Sequence, residues 1–157
     1  MTERNRLKIL FVTAEASPFA KVGGLADVAG ALPAALRRLD VDVRVVMPCY
    51  RKIFSDSSYD LHEDAAGLYA LLGSEQFYFS VIRTAHNQVP FHLLNFPFFF
   101  MRDQVYGYPD DPHRFAAFCK GVMALLKAWD WTPDIIHCND WQTAPVAALL
   151  KTAWANH

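Results

Sequence analysis

Apolar positions along the 157 residues fall into two kinds of run. Short, nearly continuous ones recur at "LKILFVT" (7–13), "DVRVVMP" (42–48) and "PDIIHCN" (133–139). Each predicts a short strand buried on both faces, as in a parallel sheet. Other apolar residues return every three or four positions. Leu25, Val28, Ala29, Leu32, Leu36 and Leu39 draw one helical stripe. Pro33 sits inside it. An interior proline loses a hydrogen bond and clashes one turn back, at about 3 kcal/mol, so the helix is expected to bend or restart there. Phe115, Phe118, Val122, Leu125 and Trp129 line a second helix, with Asp111 as its cap and Pro112 in the first helical position. A closing helix over "DWQTAPVAALLKTAW" accommodates Pro145 best if it begins near Thr143.

Residues 49–65, with several Ser and Asp, read as an exposed loop. "GLYALLG", "EQFYFSVIRT" and "VPFHLLN" follow as short strands, with "AHNQ" as the turn between the last two. They predict a hairpin-like insertion on the edge of the main sheet. The order is β-α-β, extra strands, then α-β-α. It predicts an α/β domain over 1–157 with a mainly parallel sheet flanked by helices. Ligands of such sheets bind outside the carboxyl ends of the strands. The chemically loaded stretches, 19–28 and 137–143, both fall there.

Bulk properties narrow the partners. Apolar residues make up 53%, charged ones 20%, and the net charge is -1. That balance suits a globular domain and gives no basic surplus for nucleic acid. Three cysteines without close spacing argue against a disulfide framework or a zinc site, and for reduced thiols in the cytoplasm. "FPFFFM" is far short of the ~20 residues that span a bilayer, so no membrane partner is expected. The apolar run near the start is too short for a signal-peptide core, and Glu15 follows it closely.

"FAKVGGLADV" (19–28) is the first candidate site. Gly23 and Gly24 at a strand-to-helix turn let backbone N–H groups approach an anion, and the helix N-terminus adds partial positive charge. Lys21 adds a mobile cation suited to phosphate. The structural alternative is that the glycines permit the backbone angles, Lys21 is solvated and Asp27 complements the helix dipole. Spacing argues against a nicotinamide-type site: "AEASPFAKV" separates Thr13 from Gly23, and "VVMPCY" has no acid for a ribose hydroxyl.

"KVGGLADVAGALPAAL" resembles the N-terminal K-x-G-G-L signature of bacterial glycogen synthases and plant starch synthases, and "DIIHCNDWQTA" resembles their second signature. The likeness runs from about Leu7 to the last residue and is weakest between residues 51 and 110. It implies the Rossmann-like N-terminal domain of a GT-B glycosyltransferase. Such an enzyme moves glucose from ADP-glucose to the non-reducing end of an α-1,4-glucan with retention, using no cofactor and no catalytic metal. By resemblance, Lys21 contacts the donor, Gly23 and Gly24 let the loop close on it, Asp27 lies near sugar or acceptor, and Asp140 and His137 face the same cleft. Trp141 and Gln142 would shape an acceptor surface. Read from the residues alone, Asp140 can equally be an N-cap worth ~1 kcal/mol, His137 a buried hydrogen-bonded histidine and Trp141 core. The resemblance also implies that the second, nucleotide-sugar domain lies outside these residues. The chain by itself is then expected to be inactive, with an open strand edge and a tendency to self-associate or to take up a C-terminal half. The alternative function is a non-catalytic glucan- or partner-binding module, or half of a split synthase.

Overall fold

A computed structural model describes residues 6–153. The expected end of the last helix at Trp154 and the stop at His157 lie outside the described residues. The chain runs β1 (Lys8–Val12), α1 (Gly24–Arg38), β2 (Asp42–Pro48), α2 (Arg51–Phe54), β3 (His62–Leu72), β4 (Glu75–His86), β5 (Val89–Asn95), α3 (Pro97–Phe100), α4 (Asp111–Ala128), β6 (Ile135–Cys138) and α5 (Pro145–Ala153). The strands form one sheet in the order β3-β4-β5-β2-β1-β6. Pairing is parallel from β5 through β2 and β1 to β6, and antiparallel for β3–β4 and β4–β5.

β1 is central to the parallel part. Leu10, Phe11 and Val12 are wholly buried because they are covered on both faces and paired on both edges. Three strand expectations need correction. β5 is a full member of the parallel sheet, so only β3 and β4 form the edge hairpin. β6 is short and forms the other edge, with Ile135 and His137 exposed, because only β1 pairs with it. Residues 49–65 are not one loop: Cys49, Tyr50 and Ile53 are buried around α2, and β3 begins at His62. The "AHNQ" turn is correct. Asn87 and Gln88 have φ of 50° and 64°, the double left-handed geometry of a two-residue hairpin turn.

The first helix follows its predicted stripe in part, with Ala29 buried and Leu32 and Leu36 packed against the core. α1 passes through Pro33 without interruption, and its buried residues are Ala26, Ala29, Pro33 and Ala34. Val28 and Leu39 are exposed. Small side chains face inward because this helix lies close to its neighbours. A Cβ on Gly30 would stand 2.7 Å from the carbonyl oxygen of Ser17. In α4, Asp111 is the first helical residue rather than the cap, and Asp110 precedes it. α5 begins at Pro145, where a missing N–H costs nothing.

The face of the sheet under α4 ends in a polar cluster. His92 on β5 stands in register with Arg83 on β4 and Val46 on β2, so the three share a face. Its ring meets Trp129 edge-on at 4.5 Å between centroids, and its Nδ1 is 3.7 Å from Asp64 Oδ2. Arg44 lies over Trp131 at 4.3 Å, and Trp131 Nε1 donates to Asp42 Oδ2 at 2.8 Å. Both ring nitrogens of His92 are buried without a hydrogen bond. Burial pushes its pKa from 6.5 down to about 4, with Arg44 and Arg83 adding to the fall and Asp64 opposing it.

An unfolded chain therefore takes up a proton at this histidine that the folded chain refuses. The stability gained from a neutral His92 is present above pH 6.5 and is lost as pH falls from 6.5 towards 4. Unfolding in urea at pH 7 and pH 4.5 should show His92→Leu losing less stability than the parent between the two conditions, by about 2 kcal/mol. An identical pH slope in both proteins would contradict a histidine held neutral.

Candidate functional site

The parallel sheet reverses direction of growth at β1. The chain passes from β1 to β2 on one side and later returns to β6 on the other. The crevice for ligands therefore lies beyond the carboxyl ends of β1 and β6. Three segments meet there: residues 13–24, residues 139–143 and residues 101–110.

The first segment is tied down by backbone bonds. Thr13 Oγ1 donates to the Glu15 carbonyl at 2.8 Å, Tyr50 Oη donates to the Ala14 carbonyl at 2.7 Å, and Ser17 N donates to the Ala26 carbonyl at 2.9 Å. Glu15 is then carried inward, with only 2% of its surface exposed. Its Oε2 accepts the N–H groups of Val22 at 2.5 Å and Gly23 at 3.2 Å. Its Oε1 accepts the hydroxyl of Tyr106 at 3.4 Å. The anion that the turn was expected to attract is thus partly supplied by the chain itself.

The glycine pair has no internal structural demand behind it. Gly23 is extended, with φ -134°, and Gly24 is not among the glycines with positive φ. A Cβ on Gly24 would meet nothing within 4 Å. The reading that these glycines merely permit unusual backbone angles fails. A Cβ on Gly23 would face inward, 3.7 Å from Glu15 Oε1, so Gly24 is the residue that leaves the start of α1 bare. Lys21 stands beside it, and its Nζ is 2.6 Å from Asp27 Oδ1, with both side chains more than half exposed. Ser17 Oγ donates to the same oxygen at 3.5 Å. Lys21 and Asp27 are therefore brought together as a surface ion pair, which contributes little to stability and is free to exchange partners.

In the second segment, Asn139 Nδ2 donates to the Val12 carbonyl at 2.9 Å and joins the turn to the end of β1. Asp140 follows with φ 63°, a left-handed conformation that Asp tolerates better than most residues. Its Oδ1 accepts the N–H of Trp141 at 2.6 Å. The expectation of an N-cap on α5 is corrected, since that helix starts five residues later and the carboxylate bonds only its own neighbour. His137 is exposed rather than buried, and its ring meets Phe11 edge-on at 4.7 Å. Trp141 is 50% exposed, so it is not core, whereas Gln142 is buried.

The third segment runs into "VYGYPDDPHRF", which only partly reproduces the corresponding segment of the family that the sequence resembles. Arg114 is fully buried: its Nη1 donates to Asp111 Oδ1 at 2.9 Å and its Nη2 to the Val105 carbonyl at 3.2 Å. Asp111 Oδ2 accepts Gly107 N at 2.6 Å and Tyr108 N at 3.2 Å. This ion pair folds the loop back over α4 and presents Tyr106 to Glu15. Burial, then the carboxylates of Glu15 and Asp140, raise the Tyr106 phenol above its usual pKa. It stays a protonated donor, facing Glu15. Glu15 is the residue that sequence reasoning missed. The available signal was an acid three residues beyond the apolar run Ile9–Val12, where solvation is poor.

Hollows elsewhere on the surface belong to other regions. An open one of about 400 Å³ lies between β3 and α4, beside Tyr69, Lys120, Lys127 and Leu149. The crevice beyond β1 and β6 is by contrast a single open wall. Among the described residues there is no acidic, histidine or cysteine cluster fit to hold a metal ion, and no helix long and apolar enough to cross a membrane.

Residues 8–157 match the family model described as the starch synthase catalytic domain. A glycogen synthase of Clostridium beijerinckii is 46% identical over 145 residues, covering 92% of this chain and 30% of that protein. One from Geotalea daltonii is 43% identical over 150 residues, covering 92% and 31%. The catalytic domain of starch synthase IV from Arabidopsis thaliana, bound to ADP and acarbose, superposes with a TM-score of 0.88 at 34% identity, over 96% of this chain and 31% of that one. The chain thus spans about 30% of the length of the curated relatives it matches.

The close approach at Gly30 gives a direct check on how the first segment is held. Gly30→Ala should destabilise the domain by about 1–3 kcal/mol despite alanine's better helix propensity, because the clash is with backbone. A thermal unfolding midpoint that rises instead would show that α1 and residues 16–18 are not packed as described.

Proposed function

The chain belongs to the starch synthase catalytic-domain family, and on that footing we propose that it forms one wall of a retaining glucosyltransferase site. The substrates are ADP-glucose as donor and the non-reducing end of an α-1,4-glucan as acceptor, and the setting is the cytoplasm. The observation that carries this reading is Lys21, paired only at the surface, beside a helix N-terminus kept bare by Gly24.

The chemistry follows from where charge develops. As the bond between glucose and diphosphate breaks, negative charge builds on the leaving ADP. Lys21 can leave Asp27 for that charge, and a preplaced cation in such a position lowers the barrier. The unshielded amides of the α1 start add a weaker attraction of the same sign. Asp27, once released, and Asp140 offer carboxylates for glucan hydroxyls, or for positive charge at the reacting carbon. His137 stands at the end of β6 with an exposed ring, open to a sugar hydroxyl. Trp141 offers a half-exposed aromatic face for the acceptor. Water exclusion requires an opposite wall.

The open edge of β6 supports a second reading, in which a complementary half is supplied in trans or a second copy docks there. Mixing the chain with the remaining part of a relative, and measuring activity and oligomeric state, distinguishes the two.

The 157-residue chain alone should give no glucan elongation above background with ADP-glucose and a primer. Joined to the remainder of the Clostridium beijerinckii synthase, it should be active, and Lys21→Ala should then lower kcat/KM by about a hundredfold or more. Unchanged donor affinity and turnover in that variant would sink the proposal. Gly24→Ala separates fold from function. It should leave the unfolding midpoint unchanged or slightly higher, by up to about 1 kcal/mol, while activity falls about tenfold as the new methyl covers the approach to the helix start.

A further inference from the structure

Glu15 carries a deeply buried charge with no cationic partner among the described ion pairs. Burying a carboxylate is costly unless hydrogen bonds replace its water. Here two backbone amides and a phenol do so, from two separate parts of the chain. Capping alone does not account for the arrangement. A helix cap needs only the amides, yet Oε1 is turned to Tyr106, and a side chain at position 23 would stand against that same oxygen, its Cβ 3.7 Å away. Gly23 stands there instead, with no side-chain cap on the helix. The carboxylate reaches the Val22 and Gly23 amides from the protein side, and a Cβ on Gly24 would meet nothing within 4 Å.

We propose that Glu15 is a positioning residue of the transfer site. From behind, its Oε2 holds the turn that carries Lys21, and its Oε1 ties that turn to Tyr106 on the 101–110 loop. One carboxylate thereby sets the distance between the donor-side cation and the loop opposite, which is itself anchored by the buried Arg114–Asp111 pair. Loss of the charge frees the turn without exposing the core, so Lys21 is present but misplaced when the leaving group needs it. This inference rests on the glucosyltransferase reading of the site.

Two measurements test it separately. In the chain itself, Glu15→Gln keeps the side-chain shape and removes the charge. Amide hydrogen exchange followed by NMR should quicken at Val22 and Gly23 by about tenfold or more, and the Tyr106 ring signals should shift, while the β1 and β2 core amides stay within about twofold. Unchanged exchange at Val22 and Gly23, or an equal loss across the core, would overturn the positioning role. In the fusion with the Clostridium beijerinckii remainder, Glu15→Gln should lower kcat by about 10- to 100-fold with KM for ADP-glucose within about threefold. Glu15→Asp should recover part of that loss, and Tyr106→Phe should show a smaller fall of the same kind. A kcat equal to the parent's would also overturn the role. If the parent fusion transfers no glucose while the authentic synthase does, the glucosyltransferase reading falls, and the exchange result alone decides the claim about Glu15.

Discussion

Everything at this site depends on β1 being hidden from water on both faces and paired along both edges. Four parallel strands can place such a segment centrally only if the connections run to one side first and to the other side later. That requirement opens the crevice between the ends of β1 and β6. It also forces the polar residues after Val12 to emerge from a dry interior. Thr13 and Glu15 are buried for this reason. Their polar atoms are satisfied by backbone and phenol rather than by water, and the loop takes its shape from those bonds.

The charges around the crevice are arranged in two tiers. The inner tier is buried and fixed: Glu15 on amides, and Arg114 on Asp111. Breaking a pair of that kind leaves an uncompensated charge in poor solvent, at about 3–5 kcal/mol. The outer tier, Lys21 with Asp27, and Asp140 on its own turn, is exposed and weakly committed. Strong inner contacts hold the scaffold still, while weak outer ones let the groups change partners. Such a division suits a surface that must meet a charged ligand and release it.

The opposite end of the sheet uses aromatic packing to solve a different problem. Arg44 cannot leave the face under α4, so it stacks on Trp131 and Trp129 after the helix ends. Trp131 in turn reaches Asp42 at the start of β2. His92 fills the remaining space as a neutral ring, and its unmet nitrogens make this corner the acid-sensitive one. The cluster stabilises the frame without entering the site.

Local pattern was enough to determine the class of fold, the β1–α1–β2 unit, the late α4–β6–α5 unit and the location of the two signature stretches at strand ends. Continuous apolar runs and turn chemistry are short-range signals, and each of these elements is written within one segment. The same signals read α1 only in part: Ala29, Leu32 and Leu36 face the core as expected, but Val28 and Leu39 are exposed and Ala26, Pro33 and Ala34 are buried. They misjudged β5 and β6, because strand neighbours are chosen by the whole sheet and not by the strand. The pairing of Lys21 with Asp27 joins residues only six apart, across the start of α1, and was within reach of the sequence. Tertiary structure alone decided that Glu15 would be the hub, since Tyr106 is 91 residues away and comes near only when α4 and its buried arginine fold the loop back. A carboxylate's partners are set by where burial denies it water, and burial is a property of the assembled chain.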